Sequence, residues 1–189
     1  AEVEAPAGAK GMPGIIIPKK TVSEVQKLLE GVEGDVAVEV SDTKIRFSVG
    51  GVVLLSKLIE GTFPDYERVT PKNNDKAMSV DRAAFATAVD RVSTIASDRG
   101  GKAVKLSLSD GQLELSVTNP DHGTASEELP VEFETENFEI GFNARYLLDI
   151  IGQIRSDNAM FLFNDAGSPT LVREDGDARA LYVLMPMRV

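Results

Sequence analysis

One pattern constrains this chain more than any single residue. A short apolar run, a helix of about three turns and three strands of alternating hydrophobicity follow one another in that order, and the order comes three times over. In the first round, Ile15-Ile16-Ile17 predicts a short strand, and Val22, Val25, Leu28 and Leu29 fall on one face of a helix from about Lys19 to Leu29. Thr21 with Glu24 three residues on has the form of a capping box. Val36, Val38 and Val40 share one strand face, and Ile45, Phe47 and Val49 share another, with Ser41-Asp42 as the turn. Gly50-Gly51 turns the chain again into a strand from Val52 to Leu58.

The second round opens with a strand from Ala77 to Val80 and a helix from Asp81 to about Ala96. Asp81 is the N-cap, and Phe85, Val89, Val92 and Ile95 form the apolar stripe. Strands Val104 to Leu108 and Gln112 to Val117 flank Asp110-Gly111, a type I′ hairpin signal, and Thr124 to Leu129 follows. In the third round, strand Phe138 to Phe142 leads to a helix capped by Asn143, with Tyr146, Leu147, Ile150, Ile151 and Ile154 on one face. Strands Met160 to Phe163, Thr170 to Glu174 and Leu181 to Met185 close the chain.

Two such rounds make one domain, with both helices covering a sheet. The chain is therefore expected to be α+β, with half a domain in residues 1–66 and a whole one in 67–189. Between them, Glu60 to Pro71 carries two prolines and a glycine that forbid a continuous helix or a central strand, yet Phe63, Tyr66 and Val69 make it apolar. The ending, Ala180 to Val189, is also apolar where a free terminus is usually polar and loose. It reads either as a last core strand or as a surface kept for a partner.

Hydrophobic residues at 42% and charged residues at 26% describe a globular chain. No apolar run approaches the ~20 residues a membrane helix needs. With no cysteine, disulfides, thiolate zinc sites and cysteine nucleophiles are excluded, and a cytoplasmic location is expected. The Ala-, Gly- and Pro-rich start, Ala1 to Gly14, lacks an initiating Met and predicts an internal start within a longer protein.

The residues offer no active site and imply no cofactor or metal. His122 is the sole histidine and lies in a polar turn, Asn119 to Gly123. There is no Walker A loop and no paired-histidine metal motif. Glu174-Asp-Gly-Asp177 resembles the start of a calcium loop but lacks the downstream glutamate, so a hairpin turn is expected. The net charge of −10 argues against nucleic-acid binding over the whole surface. Its distribution is more informative. Lys19, Lys20 and Lys27 belong to the first helix, Arg82, Arg91 and the following Arg99 to the second, and Arg145 and Arg155 to the third. Acidic residues gather in strands and loops, at Glu127-Glu128, Glu132, Glu134, Glu136 and Asp175 to Asp177. Basic helices beside acidic loops would let one face approach phosphates, or they are simply solvated helix faces.

Phe63-Pro-Asp-Tyr66 followed by Arg68-Val69, the run Ile140-Gly-Phe-Asn143 with Tyr146-Leu-Leu-Asp149, and terminal Tyr182-Val-Leu-Met-Pro-Met-Arg188 resemble the bacterial DNA sliding clamp, the beta subunit of DNA polymerase III. The motifs stand in family order across essentially the whole chain. The resemblance implies a DNA-clamp fold: three like domains per subunit, closed head to tail into a dimeric ring, with helices lining the hole and antiparallel sheets outside. Residues 1–66 would then be the later part of the middle domain and 67–189 the C-terminal domain. It implies a non-catalytic processivity factor that encircles duplex DNA without sequence preference. Its partners would be the polymerase III catalytic subunit, the clamp loader and other clamp-motif proteins.

Carried over by position, the resemblance places Lys19, Lys20 and Lys27 toward DNA. It places a partner-peptide pocket, between the second and third domains, at Pro64, Arg68 and Val69, at Tyr146, at Gly167 and Pro169, and along Val183, Leu184, Met185, Pro186, Met187 and Arg188. The family's Thr-Asp-Gly-His-Arg-Leu segment of the other pocket wall is absent and expected just before Ala1. Gly167 and Pro169 stand where other members carry different residues. Ile95, Ala96, Glu127 and Glu128 match the homodimer contact, so this chain alone is expected to be monomeric or weakly associated. Two other functions stay open on the residues: an interaction domain that never meets DNA, and a carboxylate- and metal-dependent enzyme.

Overall fold

The computed structural model describes residues 1–6, 8–96 and 102–189. It contains two compact units, Glu4–Asp65 and Tyr66–Val189, the latter joined by Ala1–Val3.

In the first unit, helix α1 (Lys19–Leu29) precedes a three-stranded antiparallel meander of β1 (Ala37–Val40), β2 (Lys44–Val49) and β3 (Val52–Lys57). Gly50 and Gly51, with φ of 52° and 83°, supply the left-handed backbone of the β2–β3 turn. The helix begins directly after Pro18, whose φ of −59° is already helical, and Pro18 contributes no side-chain cap. Thr21 therefore lies inside the first turn, and its hydroxyl meets that of Ser56 at 2.7 Å; the capping box expected at Thr21 and Glu24 does not form. Nor is Ile15-Ile16-Ile17 a strand. Pro13 and Pro18 flank it, and the Ile59 amide donating to the Ile16 carbonyl at 2.9 Å is a contact without a ladder. Val38 faces Phe47 and Val40 faces Ile45 across the β1–β2 pair, so the two apolar sets share one face. The α1 stripe is half open: Val22 and Leu29 are exposed, while Val25 and Leu28 are half-buried.

In the second unit the two rounds are β4 (Lys76–Asp81), α2 (Arg82–Ser93), β5 (Ala103–Ser109), β6 (Gln112–Asn119), β7 (Gly123–Pro130) and then β8 (Phe138–Asn143), α3 (Ala144–Ile151), β9 (Asn158–Phe163), β10 (Thr170–Glu174), β11 (Asp177–Leu184). Each round lends its first strand to the other. The sheets run β11-β10-β9-β4 and β7-β6-β5-β8, with Ser79 opposite Met160 and Gly141 opposite Lys105. The exchange interlocks the rounds, so neither sheet completes without both.

Strand alternation then sends one face inward. Leu113, Leu115 and Val117 of β6, Val104, Leu106 and Leu108 of β5, and Phe161 and Phe163 of β9 are buried. The α2 stripe closes on them, with Phe85 and Val89 fully buried and the Phe85 ring 5.3 Å from that of Phe161. Burying such a ring stabilises by about 1.5–3 kcal/mol, a sizeable share of a domain's ~5–15. Helices α2 and α3 pack against each other over this core.

The local signals act as anticipated. The Asp81 carboxylate accepts from the Ala84 amide at 2.7 Å and the Asn143 side chain from the Arg145 amide at 2.9 Å. Asp110 and Gly111 have φ of 45° and 76°, both positive as a type I′ turn requires. Gly176 turns the β10–β11 hairpin with φ of 75°, where the calcium-loop resemblance lay. Helix α2 ends at Ser93, short of Ala96, because the Thr94 and Ala96 amides take carbonyls three residues back and tighten the last turn.

Candidate functional site

The apolar ending is divided. Strand β11 stops at Leu184, which is 3% exposed, while Met185 just beyond it is 61% exposed. Beside it stands α3, whose helical period turns Leu147 and Ile151 into the core, while Ile154, expected on the same helix face, is buried just beyond the helix end. Tyr146, expected on that inward stripe, is 56% exposed instead, and Ile150, four residues on, is only half-buried. The stripe expected from sequence is thus wider than the face the core can take.

Between α3 and the tail lies a cleft of about 400 Å³, lined by Asn143, Tyr146, Asp149 and Ile150 on one side and Val183 to Met187 on the other. Its walls are mainly apolar, with the Tyr146 ring, the Asn143 amide and the Asp149 carboxylate as the polar groups. Such a surface suits a short apolar segment with a few hydrogen-bonding groups. The sequence marks Asn143 as a helix cap and Ile150 as a core residue, and nothing in it marks Asp149. The signal for Ile150 was its four-residue spacing from Tyr146.

A second cleft, of about 620 Å³, shares Pro186 and Met187 with the first and includes Gly167 and Arg188. Along its lining the Lys105 ammonium sits 2.8 Å from Glu139, holding that carboxyl below its usual range. Gly167 belongs to the β9–β10 loop, where its amide and that of Ser168 donate to the Asp165 carboxylate at 2.8 Å each. The Ser168 hydroxyl, 2.7 Å away, does most to hold the Asp165 carboxyl low. Pro169 is half-buried and lines neither cleft. Arg68 ends the 3-10 turn Tyr66–Arg68, and Val69 just after it is exposed. Pro64 is an exposed residue of the first unit.

Lys19 and Lys20 are exposed on the first turn of α1, and Lys27 pairs with Glu24 at 3.2 Å. Ile95 and Ala96 are half-buried against the core, and the Ile95 carbonyl accepts from the Asn119 side chain at 2.7 Å. Glu127 pairs with Arg91 of its own chain at 3.3 Å, whereas Glu128 is exposed opposite Glu114. Arg99 lies outside the described residues. His122 is exposed in the β6–β7 turn. Among the described residues no group of three His, Asp or Glu side chains is placed to hold a metal ion, and no helix is long and apolar enough to cross a membrane.

Comparison with known proteins agrees along the whole chain. The family profile for the DNA polymerase III beta subunit, C-terminal domain, matches residues 67–188, and the profile for its central domain matches residues 1–65. The beta sliding clamp of Caulobacter vibrioides is 49% identical over 189 residues, which is 100% of this chain and 50% of that protein. A crystal structure of the sliding clamp from Bartonella birtlesii, bound to griselimycin, superposes with a TM-score of 0.94 at 57% identity, over 99% of this chain and 50% of the other. A Caulobacter crescentus beta sliding clamp structure with polyethylene glycol bound gives 0.94 at 49% identity, over 100% of this chain and 50% of that one. The chain thus spans about half the length of these relatives.

Proposed function

The chain belongs to the DNA polymerase III beta subunit family, the beta sliding clamps, and from that membership we propose that it works as a sliding clamp: a non-catalytic processivity factor, closed around duplex DNA as a homodimeric ring and tethering the replicative polymerase. Residues 1–66 contribute to the middle domain of such a subunit, and residues 67–189 form its C-terminal domain. The open apolar stripe of α1 supports the first assignment, since a helix face of that kind is normally covered by the rest of its domain.

The observation that carries the docking role is the apolar cleft between α3 and the chain's end. A preformed cleft loses little entropy on binding, and Met185 and Tyr146 offer the large, exposed anchors that dominate such contacts. The occupant is a short linear segment of the polymerase, the clamp loader or another clamp-motif protein, carrying a glutamine and paired hydrophobic residues. Gly167 and Arg188, which line the adjoining cleft, extend this surface, and the family resemblance adds Arg68, Val69 and Pro169 to it.

Retention on DNA comes from topology. Nonspecific phosphate contacts alone give dissociation constants on the order of 10⁻⁴ to 10⁻⁶ M, and sliding requires them weak. Lys19, Lys20 and Lys27 supply such contacts, while Ile95, Ala96, Glu127 and Glu128 belong to the ring contact. A protein of the family's full length, loaded on nicked circular DNA, is expected to stay bound until the circle is linearised and then to slide off. Equal retention on both forms, or on neither, would rule the topological mechanism out. Failure to associate with DNA at all would favour the pure interaction domain.

A further inference from the structure

The two strands exchanged between the rounds sit at sheet edges, and each is closed by a segment that follows the third strand of a meander. In β4 the fourth residue is Ser79, which exchanges two main-chain bonds with Glu132 at 3.0 Å each. In β8 the fourth residue is Gly141, which bridges Met187, with the Met187 amide donating to the Gly141 carbonyl at 2.7 Å. The two closures occupy equivalent places, yet they differ in room. Ser79 is buried, 6% exposed, and still accommodates its side chain. A Cβ on Gly141 would lie 2.3 Å from a Val189 methyl and 2.7 Å from the Met187 carbonyl oxygen. Gly141 has no positive φ, so what demands glycine is space and not backbone conformation.

We infer that Gly141 is a positioning residue for the docking cleft: by carrying no side chain it lets the C-terminal tail lie flat on β8 and so holds Met185 and Pro186 against α3. This rests on the cleft being the partner-peptide site. Past Leu184 the tail has left its own sheet, and the bond at Met187 ties it to the other one. Met187 is one residue from Pro186 and two from Met185, and all three line the cleft with Tyr146. The obstructing Met187 carbonyl is main chain and cannot swing aside as a side-chain end could. A methyl at residue 141 therefore has to lift the tail, and the cleft wall moves with it.

The test uses a polymerase-tail peptide with a glutamine and paired hydrophobic residues, measured by fluorescence anisotropy. Gly141→Ala is expected to weaken binding by about fivefold or more, the loss of one anchor contact, while Ser79→Ala at the equivalent closure leaves affinity unchanged. Gly141→Ala with Val189→Gly removes the nearest clash and should recover part of the loss. In the unaltered protein, which requires no variant to fold, saturating peptide should slow hydrogen exchange at the Met187 amide and leave the Glu132 amide as it was. Wild-type affinity in Gly141→Ala, or a Met187 amide indifferent to peptide, overturns the inference provided that Met185→Ala weakens binding. If Met185→Ala also leaves binding intact, the docking-site reading itself has failed.

Discussion

The side-chain amide of Asn74 donates to the Pro169 carbonyl at 2.9 Å while donating also to the Leu162 carbonyl at 2.7 Å. One nitrogen thereby pins both ends of the β9–β10 loop, which carries Gly167 toward the second cleft. Asn74→Ala would leave both carbonyls without that partner in a half-buried place. A stability loss of about 1–3 kcal/mol is expected in urea unfolding, with broadened Gly167 and Ser168 amide resonances. A rigid loop in the variant would show that the strands alone define it.

Met185→Ala removes the most exposed large side chain of the cleft without touching the core. Affinity for a polymerase-tail peptide should fall by about 1–3 kcal/mol in calorimetry, at an unchanged melting temperature. Unaltered affinity would remove Met185 as an anchor.

Phe85→Ala tests the core over which both sheets close. The ring is fully buried and tilted against Phe161. Its loss should cost about 3–5 kcal/mol in denaturant unfolding, more than any cleft substitution. A loss below about 1 kcal/mol would mean that the helix does not depend on that contact.

The Asp177 carboxylate receives the Arg179 guanidinium, with the Nη2 donor 2.6 Å away, and the Arg179 amide at 2.8 Å, which together lower its pKa to about 2. An unfolded Asp titrates near about 3.9. Because the folded value is the lower one, the contribution to stability is full above about pH 4 and fades as pH falls through about 2. The difference in urea midpoint between wild type and Asp177→Asn is therefore widest at neutral pH and closes only below about pH 2. A difference independent of pH would show that charge is not its origin.

Lys20 is exposed on the first turn of α1, whereas Lys27 is engaged by Glu24. If it meets a phosphate, Lys20→Ala should reduce the slope of log K against log salt by about 0.9 in DNA-binding titrations with a protein of the family's full length. An unchanged slope would place Lys20 away from DNA.

The elements themselves were legible because their causes are local. Asp81 and Asn143 cap helices from one residue's side chain, and Asp110-Gly111 turns a hairpin from two residues' φ angles. Where expectation failed, a distant partner had intervened. Thr21 gave its hydroxyl to Ser56, 35 residues away, instead of to its own helix. Tyr146 carries the hydrophobic period of α3 but faces the cleft, because the core admits only the Leu147 side of that helix.

The order of strands, helices and turns, the threefold round and the apolar ending are properties of the sequence by itself, set by periodicity, capping and turn chemistry within a few residues. Tertiary structure alone decided that β4 and β8 change places between meanders, because antiparallel edges select partners by buried face and register, not by nearness along the chain. It also decided the fate of the ending. Leu184 is core because β11 completes a sheet, and Met185 is surface because the next bond, at Gly141, belongs to the opposite one.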